Sequence, residues 1–291
     1  MSTAVPDWLR ALYPFSSHWL EQPGGRQHFL DEGRGHPVLM CHGNPTWSFY
    51  YRGLAQAVVA AGGRAIAPDH LGCGLSDKPA GWSYRLADHI ENTRRLIEDR
   101  GLERFSLVVH DWGGPIGLGA ALAFPERIER IVILNTAAFR SRRMPWRIAL
   151  CRMPLFGDLA VRYLNAFAGP ATRMTTVRPL TPELRRAYLW PYRSAAARVA
   201  VSRFVQDIPR RPAHPSYATL TQVEEGLAEL RGKPVQITWG GRDWCFDRSF
   251  FEEWQRRLPE AKSDWLADCG HYVLEDGGRA LHERLARFLL P

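Results

Sequence analysis

The chain has 291 residues, of which 45% are hydrophobic, and its 38 basic and 30 acidic side chains give a formal net charge of +8. This length is sufficient for one large hydrophobic core, and five cysteines without a Cys-x-x-Cys pair predict neither a disulfide framework nor a zinc site. The chain lacks both an N-terminal signal-peptide pattern and the run of about 18 apolar residues that spans a membrane, so we expect a cytoplasmic protein.

The first hundred residues alternate short apolar runs with helical patterns. This alternation predicts an α/β fold with a mostly parallel central sheet and helices on both faces. The glycine-rich loop at residues 69–79 lacks the Gly-Lys-Ser/Thr sequence of a phosphate-binding loop, so no nucleotide or other cofactor is expected. The predicted strands cover residues 17–20 and 27–31, with a turn at Gly24-Gly25 between them, then 38–41 and 64–68, and the predicted helices cover 49–61 and 84–100.

The most informative stretch is VHDWGG at residues 109–114. It follows an apolar strand-like run at 105–109 and leads into a small-residue helix at 113–123, so Asp111 is expected on a sharp turn between strand and helix. This frame resembles the nucleophile elbow of the α/β-hydrolase fold, with aspartate in place of the usual serine. A carboxylate at that position attacks a substrate to form a covalent ester or anhydride. The alternative is an aspartate that merely caps the helix.

The strand pattern continues at residues 131–136 and then stops until about residue 214, where helical patterns are interrupted by Pro and Gly. We interpret residues 137–214 as a helical cap inserted between two parts of the core, 1–136 and 215–291. The large apolar side chains of the cap are expected either to line a pocket for a hydrophobic small-molecule substrate above Asp111, or to pack the cap on the core. They include Trp146, Leu155, Phe156, Leu164, Phe167, Leu189 and Trp190.

The positive charge is concentrated in this predicted cap. Residues 137–214 contain 15 Arg, no Lys and three acidic side chains, a charge of +12, so the rest of the chain carries −4. The 35 Arg and 3 Lys of the chain fit an Arg-favouring genome, but that bias does not explain the scarcity of acids in the cap. Such a surface is suited to an acidic partner protein or to association with an anionic membrane surface. No helix-turn-helix, zinc-finger or RNA-binding signature accompanies it, so no nucleic acid partner is expected.

Two further residues complete a candidate triad with Asp111, in the order nucleophile, acid, histidine that α/β-hydrolases use. Asp243 follows the apolar run at 235–239 within a Gly-Gly-Arg-Asp turn, so it lies just beyond the carboxyl end of a predicted strand. His271 lies on a loop before the C-terminal helix. We expect His271 to act as the general base and Asp243 to orient its imidazole.

Other residues compete for these roles. Asp247 is the second candidate for the acid, but it lies farther from the end of the strand. Some relatives of this fold place the acid after the preceding strand, yet no Asp or Glu occurs between Glu129 and Asp158. His110, next to the nucleophile, is interpreted as structural. The acid is therefore expected after the later strand.

The loop HGNPTW at residues 42–47 follows the predicted strand at 38–41. In α/β-hydrolases this loop supplies half of the oxyanion hole. Asn44 is placed to offer a side-chain amide donor, and Trp112 to offer its indole N–H, so the pair can stabilise a developing anion. The alternative is a plain His-Gly-x-Pro turn with Trp112 in the core.

Together these motifs resemble the haloalkane dehalogenase group of α/β-hydrolases, in which an Asp attacks carbon and an Asn and a Trp hold the departing halide. The resemblance implies that Asp111 is the nucleophile, Asn44 and Trp112 the halide-stabilising pair, Asp243 the acid and His271 the base. Epoxide hydrolases share the Asp elbow but usually have a bulky residue in place of this Asn and use cap tyrosines as acids. Asn44 therefore argues against an epoxide hydrolase, while four tyrosines keep that alternative open: Tyr163, Tyr188, Tyr192 and Tyr217.

A closer resemblance, to the β-lactone decarboxylases of bacterial long-chain olefin biosynthesis, covers almost the whole chain. It implies conversion of a cis-β-lactone with two long alkyl chains into a cis-alkene and carbon dioxide, and assembly with the other enzymes of the olefin pathway. One departure is Gly241, where the family usually has an apolar residue, and this can loosen the acid loop. The resemblance rests on NTAAF at 135–139, MPW at 144–146, NAF at 165–167, RFVQDIP at 203–209, WCFD at 244–247 and HYVLED at 271–276.

Three hypotheses remain open at this point. A β-lactone decarboxylase consumes no water overall, whereas a haloalkane dehalogenase consumes one water through His271. For the lactone, attack is open at the ring carbon, with a carboxylate as leaving group, or at the carbonyl carbon. A non-catalytic binding member is the third hypothesis, motivated by the basic cap and disfavoured by the intact triad.

Overall fold

Residues 5–291, which the computed structural model describes, contain one eight-stranded sheet. Its strands are β1 (His18–Gln22), β2 (Gly25–Gly33), β3 (Pro37–Cys41), β4 (Arg64–Pro68), β5 (Phe105–Val109), β6 (Ile128–Ile133), β7 (Val235–Gly240) and β8 (Lys262–Leu266). Their order across the sheet is β1-β2-β4-β3-β5-β6-β7-β8. The pairs β1/β2 and β2/β4 are antiparallel, and the remaining pairs are parallel. The mostly parallel sheet expected from the sequence is confirmed.

Helices cover both faces of this sheet. In the same described range they are α1 (Asp7–Arg10), α2 (Arg52–Ala60), α3 (Leu86–Asp99), α4 (Gly113–Ala121), α5 (Trp146–Cys151), α6 (Phe156–Tyr163), α7 (Ala168–Met174), α8 (Pro182–Leu189), α9 (Val199–Gln206), α10 (Tyr217–Gly226), α11 (Arg248–Arg257) and α12 (Val273–Leu289). None of them is both long enough and apolar enough to cross a membrane, and this holds for residues 5–291 only.

Alternating side chains of the central strands divide the core into two layers. On β3, Val38 and Met40 join the apolar cluster that includes α2 and α12. Leu39 and Cys41 point to the opposite face and join the cluster that includes α3, α4, α10 and α11. Because both faces of the strand are covered, its residues are continuously apolar although their side chains alternate in direction.

The carboxyl ends of five neighbouring parallel strands meet at one edge of the sheet. The loops that follow β3, β5, β6, β7 and β8 carry Asn44, Asp111, Asn135, Asp243 and His271 in that order. Open parallel sheets gather their functional side chains at this edge, because each loop leaves the sheet in the same direction. The sheet therefore brings residues that are far apart in the sequence to one place.

Between β6 and β7 the chain leaves the sheet for a long excursion. Residues 137–214, all of them described, form α5 to α9 and no strand. The next helix, α10, returns to the core, where Val223 joins the same apolar cluster as Leu118 of α4. The division at residues 136 and 214 remains a prediction.

Several element bounds differ from those expected. The helix predicted at 84–100 begins only at Leu86, because Tyr84 adopts a positive φ of 55°. The helix predicted at 49–61 starts as a 3-10 turn over Ser48–Tyr51 before α2. The strand predicted at 131–136 ends at Ile133, since the next residues leave the sheet to reach the elbow. The edge strand β8 was not predicted; its sequence KSDWL is only half buried and carries little apolar signal.

We predict that Gly113→Ala destabilises the fold. Gly113 is the first residue of α4 and packs against the end of β3. A Cβ there would lie 1.9 Å from the carbonyl oxygen of Cys41 and 2.9 Å from that of His42. Alanine favours a helix over glycine by about 1 kcal/mol, but overpacking a rigid backbone costs about 1–3 kcal/mol or more, so the clash should dominate. Urea denaturation should show a lower free energy of unfolding. Gly81→Ala, which meets no atom within 4 Å, is the control; equal stabilities for the two variants would contradict the packing argument.

Candidate active site

Asp111 lies on the turn between β5 and α4 with a positive φ of 50°. Non-glycine residues avoid this region unless neighbouring contacts hold them there. The backbone N–H of Asp111 donates to the carbonyl oxygen of Asn135 at 2.9 Å, and its carbonyl oxygen accepts the Thr136 hydroxyl. The loop after β6 therefore maintains the strained turn on which the nucleophile is expected.

Glycines allow the loop after β3 and the elbow to approach each other. A Cβ on Gly43 would lie 2.1 Å from Asp111 Oδ1, and one on Gly114 would lie 1.9 Å from the Thr136 hydroxyl. Both distances are far below van der Waals contact. Larger residues at these two positions would separate the elbow from the loops that hold it.

The two carboxylate oxygens of Asp111 have different surroundings. Oδ1 accepts the backbone N–H of Asn44 at 2.6 Å, whereas Oδ2 lies 3.8 Å from His271 Nε2. Burial raises the pKa of Asp111, and this outweighs His271 and the backbone N–H groups of Trp112 and Asn44, which lower it. Oδ1 is thus held by the backbone, and Oδ2 is the oxygen that faces the imidazole of His271.

His271 is oriented by Asp243. Its Nδ1 lies 2.8 Å from Asp243 Oδ2, and because a carboxylate only accepts, Nδ1 carries the proton and Nε2 is left to face Asp111. Burial lowers the pKa of His271, but the Asp243 and Asp111 carboxylates raise it by more, so the pKa is raised overall. The imidazole is therefore placed to hold or move a proton beside the Asp111 carboxylate.

Asn135, which the sequence does not mark as a site residue, holds the carboxylate of Asp243 in place. Its Nδ2 donates to Asp243 Oδ2 at 2.9 Å, and its Oδ1 accepts the backbone N–H of Gly240 at 2.8 Å. The other acid oxygen, Asp243 Oδ1, accepts the backbone N–H of Cys245 at 2.6 Å. The signal for Asn135 was its position at the end of the strand next to that of Asp243.

Asp247 and His110, the alternatives weighed for this site, have other partners. Asp247 caps α11 through the backbone N–H of Ser249 at 2.9 Å and pairs with Arg143 at 2.7 Å. His110 is buried, and its Nε2 donates to the carbonyl oxygen of His271 at 2.9 Å. Each therefore supports neighbouring structure in this arrangement and does not replace a member of the candidate triad.

Helix α9 of the cap positions both candidate anion donors. Asn44 Nδ2 donates to the backbone carbonyl of Val201 at 3.1 Å, which fixes the amide orientation and leaves its second N–H available. The Trp112 ring packs on Phe204 with ring centroids 5.2 Å apart. Asn44 and Trp112 line one cavity together with Asp111 and His271. The sequence did not indicate that the cap would orient these two donors.

The cavity has a volume of about 580 Å³ and lies between the cap and the carboxyl edge of the sheet. Its lining is mainly apolar, with the polar groups of the site at its floor, as is usual for small-molecule sites. Phe156, Leu164 and Phe167 line it, as expected. Trp146 and Leu155 do not; they are 63% and 84% exposed, because they lie on the outward side of the cap. Leu189 and Trp190 instead pack against the core.

Gly241 does not leave a void in the acid loop. A Cβ at this position would lie 2.6 Å from Trp265 Nε1, so the indole of β8 occupies the space that an apolar side chain would take. The backbone N–H of Gly241 also donates to the carbonyl oxygen of Leu266 at 2.8 Å. The loop is thus supported from the neighbouring strand by a residue that the sequence did not single out.

Comparison with known proteins places these features in a family. The α/β hydrolase fold family matches residues 36–278. The chain is 41% identical to a cis-3-alkyl-4-alkyloxetan-2-one decarboxylase from Shewanella oneidensis over 97% of this chain and 90% of that protein. It is 33% identical to haloalkane dehalogenase 2 from Mycobacterium bovis, over 91% and 92%. The crystal structure of haloalkane dehalogenase DbeA from Bradyrhizobium elkani superposes with a TM-score of 0.84 at 25% identity, over 94% of this chain and 97% of that one.

We predict that Asp243→Asn lowers the pKa of His271. The Asp243 carboxylate is the largest influence that raises this pKa, and the amide retains the side-chain shape without the charge. The pKa of His271 can be followed by NMR of labelled histidine, with a His271→Gln sample to assign its signals. Asp247→Asn removes a nearby but surface-exposed carboxylate and should leave this pKa unchanged. A His271 pKa that did not move in Asp243→Asn would show that Asp243 is not its partner.

Proposed function

The chain belongs to the α/β-hydrolase family, in the group that contains cis-3-alkyl-4-alkyloxetan-2-one decarboxylases and haloalkane dehalogenases, and we propose on that premise that it converts a cis-3,4-dialkyl β-lactone into a cis-alkene and carbon dioxide. The observation that carries this proposal is the 41% identity to a decarboxylase along 97% of the chain, which includes the cap that forms the cavity. An apolar cavity above a buried carboxylate suits a substrate with two alkyl chains.

In the first step, Asp111 Oδ2 attacks the ring carbon C4, which bears one alkyl chain. A bond forms between Oδ2 and C4, the bond between C4 and the ring oxygen breaks, and its electron pair stays on that oxygen as a carboxylate. The negative charge thus moves from Asp111 to the substrate. The free N–H of Asn44 and the indole N–H of Trp112 would stabilise the new anion, while the backbone N–H of Asn44 holds Oδ1 as the ester carbonyl oxygen.

In the second step, the bond between the carboxylate carbon and C3 breaks and carbon dioxide leaves. The electron pair forms the C3=C4 double bond and expels Asp111 as a free carboxylate, so no atom of water is consumed. Backside attack inverts C4 and places the ester opposite the carboxylate, which is the geometry required for elimination. Because no bond rotation is needed, the two alkyl chains remain on the same side, and a cis-lactone yields a cis-alkene.

Attack at the carbonyl carbon would need more chemical steps than attack at C4. It would leave the ring oxygen on C4 and join Asp111 to the carbonyl carbon as a mixed anhydride. That oxygen would then either depart as hydroxide, with water replacing the oxygen that Asp111 gives to carbon dioxide, or first capture the Asp111 acyl group in an additional transfer. Attack at C4 requires neither of these steps, and it uses the oxygen of Asp111 that the backbone leaves free.

Haloalkane dehalogenation is the second candidate function. It is favoured by the combination of Asn44, Trp112 and Asp111 in one cavity and by the 33% identity to a haloalkane dehalogenase. Attack of Asp111 on a haloalkane would form the same kind of alkyl ester. That ester cannot eliminate carbon dioxide, so His271 would have to activate a water to hydrolyse it.

The first test supplies the purified protein with a long-chain cis-β-lactone or a 1-bromoalkane and measures alkene by gas chromatography and bromide by ion analysis. We expect alkene formation, reduced about 10⁴-fold or more in Asp111→Ala because the nucleophile is lost. Asp247→Ala, which removes a surface carboxylate near the same loop, is the control. Bromide release without alkene would make the protein a dehalogenase, and activity retained in Asp111→Ala would eliminate both mechanisms.

The second test distinguishes the attacked carbon. After many turnovers of lactone in ¹⁸O-labelled water, mass spectrometry of the peptide that contains Asp111 should show no ¹⁸O, because attack at C4 returns the original carboxylate. Attack at the carbonyl carbon would label Asp111 from water if the ring oxygen left as hydroxide, and it would transfer ¹⁸O to Asp111 from a ring-labelled lactone if that oxygen captured the acyl group. A 1-bromoalkane that is turned over provides the positive control, since hydrolysis of the alkyl ester introduces a water oxygen into the carboxylate.

We further predict that His271→Gln separates the two activities. Removing a general base typically costs about 10²–10⁴-fold in rate, so turnover of a 1-bromoalkane should fall by that factor. Alkene formation should fall less, because the proposed route activates no water. Both rates can be measured on one enzyme preparation whose melting temperature matches that of the wild type. Equal losses in the two rates would show that decarboxylation also depends on proton transfer by His271.

A further inference from the structure

The cap exposes an unusual set of large apolar side chains. Ten large hydrophobic residues are exposed in residues 5–291, and eight of them lie between residues 146 and 164. Single exposed apolar residues are ordinary, but a contiguous group marks a surface that contacts a partner or a membrane. We call this group the outer cap face: Trp146, Leu150, Met153, Leu155, Phe156, Leu159, Tyr163 and Leu164.

Helix α6 shows why this surface is not simply part of the core. Its Ala160 and Val161 are buried toward the protein, while Phe156, Leu159 and Tyr163 recur at helical spacing on the exposed side. The apolar surface of α6 therefore extends beyond its buried side, and the ion pair of Asp158 and Arg162 marks the polar side. The exposed apolar part lacks the covering that the apolar surface of a helix normally has.

A cluster of basic groups adjoins the outer cap face. The loop between α5 and α6 carries the exposed Met153 and Leu155, and its Arg152 and Pro154 line a cleft of about 600 Å³. We call this cleft the basic pocket; its remaining lining is Gln206, Arg210, Arg211, Ala213 and His214.

The arginines of the basic pocket have no anionic partner within residues 5–291: Arg152, Arg210 and Arg211 form no ion pair there. The acid beside them, Asp207, is occupied by Arg85 at 2.7 Å and by the hydroxyl of Ser216. Burial, with Arg210 and Arg211, lowers the pKa of Arg152. Three guanidinium groups that repel one another around a cleft form a site that an external phosphate would stabilise.

We propose that the outer cap face docks on a bilayer that contains anionic phospholipid, with the basic pocket receiving a lipid phosphate. The combination of large apolar side chains with arginines is that of an interfacial helix, which inserts its apolar side at the level of the headgroups. Arg147 supports this role, since its guanidinium lies 4.6 Å from the centre of the Trp146 ring. The charge of +12 on residues 137–214 adds a long-range attraction to an anionic surface.

The cavity of the candidate active site meets the same surface. Leu150, Phe156 and Leu164 belong to the outer cap face and also line that cavity. A lipophilic substrate could therefore pass from the bilayer to Asp111 along apolar side chains without entering water. This consequence rests on the proposed function, whereas docking itself does not and can be measured without a substrate.

The test is flotation of the full chain with vesicles of phosphatidylcholine alone or of an equimolar mixture of phosphatidylcholine and phosphatidylglycerol. We expect binding to the mixed vesicles, weak binding to phosphatidylcholine, and release as the salt concentration rises. The salt titration uses only the wild-type chain, so it does not depend on the folding of any variant. Equal binding to both kinds of vesicle, or none to either, would overturn the proposal.

Two pairs of substitutions address the two parts of the surface. Leu155→Asn with Leu159→Gln removes exposed apolar groups that do not line the cavity. Arg210→Gln with Arg211→Gln removes two charges from the basic pocket. Each pair should weaken binding to the mixed vesicles about tenfold or more.

Matched controls separate location from overall charge and hydrophobicity. Arg248→Gln with Arg279→Gln makes the same change in net charge at exposed ion pairs elsewhere, and Val59→Gln removes an exposed apolar group from α2. Both controls should bind like the wild type; losses equal to those of the cap variants would overturn the proposal. Binding to poly-L-glutamate without binding to vesicles would assign the surface to an acidic protein and would also overturn it.

Discussion

The hydrogen bond from the backbone N–H of Asn44 to Asp111 Oδ1 is the contact on which the rest of the site depends. It joins the loop after β3 to the elbow after β5, and it requires Gly43 between them because any Cβ there would strike the carboxylate. It also makes the two oxygens of Asp111 unequal. Oδ1 is held by the backbone and, under the proposed function, would become the carbonyl oxygen of an ester, whereas Oδ2 faces His271.

The cap covers this contact and also orients the side chains around it. The Val201 carbonyl holds the Asn44 amide, and Phe204 packs on Trp112, so α9 orients both candidate anion donors from above while the sheet fixes Asp111 from below. The same cap has an inner side that lines the cavity and an outer side that is apolar and basic. A change in the cap can therefore alter substrate choice, anion stabilisation and surface contacts together.

Much of the fold was predictable because its signals are local. The strand cores at residues 38–41, 64–68 and 105–109 were recognisable from apolar runs between turn residues. Elements whose length or burial depends on distant contacts were not predictable from the sequence. Edge strand β8 is half-exposed and weakly apolar, and β6 ends early because Asn135 and Thr136 leave the ladder to bond with Asp243 and Asp111. Hydrogen bonds between distant loops leave no periodic pattern in the sequence.

The sequence by itself determined which residues the carboxyl edge of the sheet would present. Strand ends, turns and their order follow from local patterns of apolar and turn residues. Asp111, Asp243, His271, Asn44 and Trp112 follow from that reading, while their roles remain proposals. Only the tertiary structure decided that Asn135 supports the acid and that Val201 directs Asn44. It also decided that Leu155 faces solvent while Phe167 lines the cavity. The physical reason is that the direction and partner of a side chain depend on what packs against it.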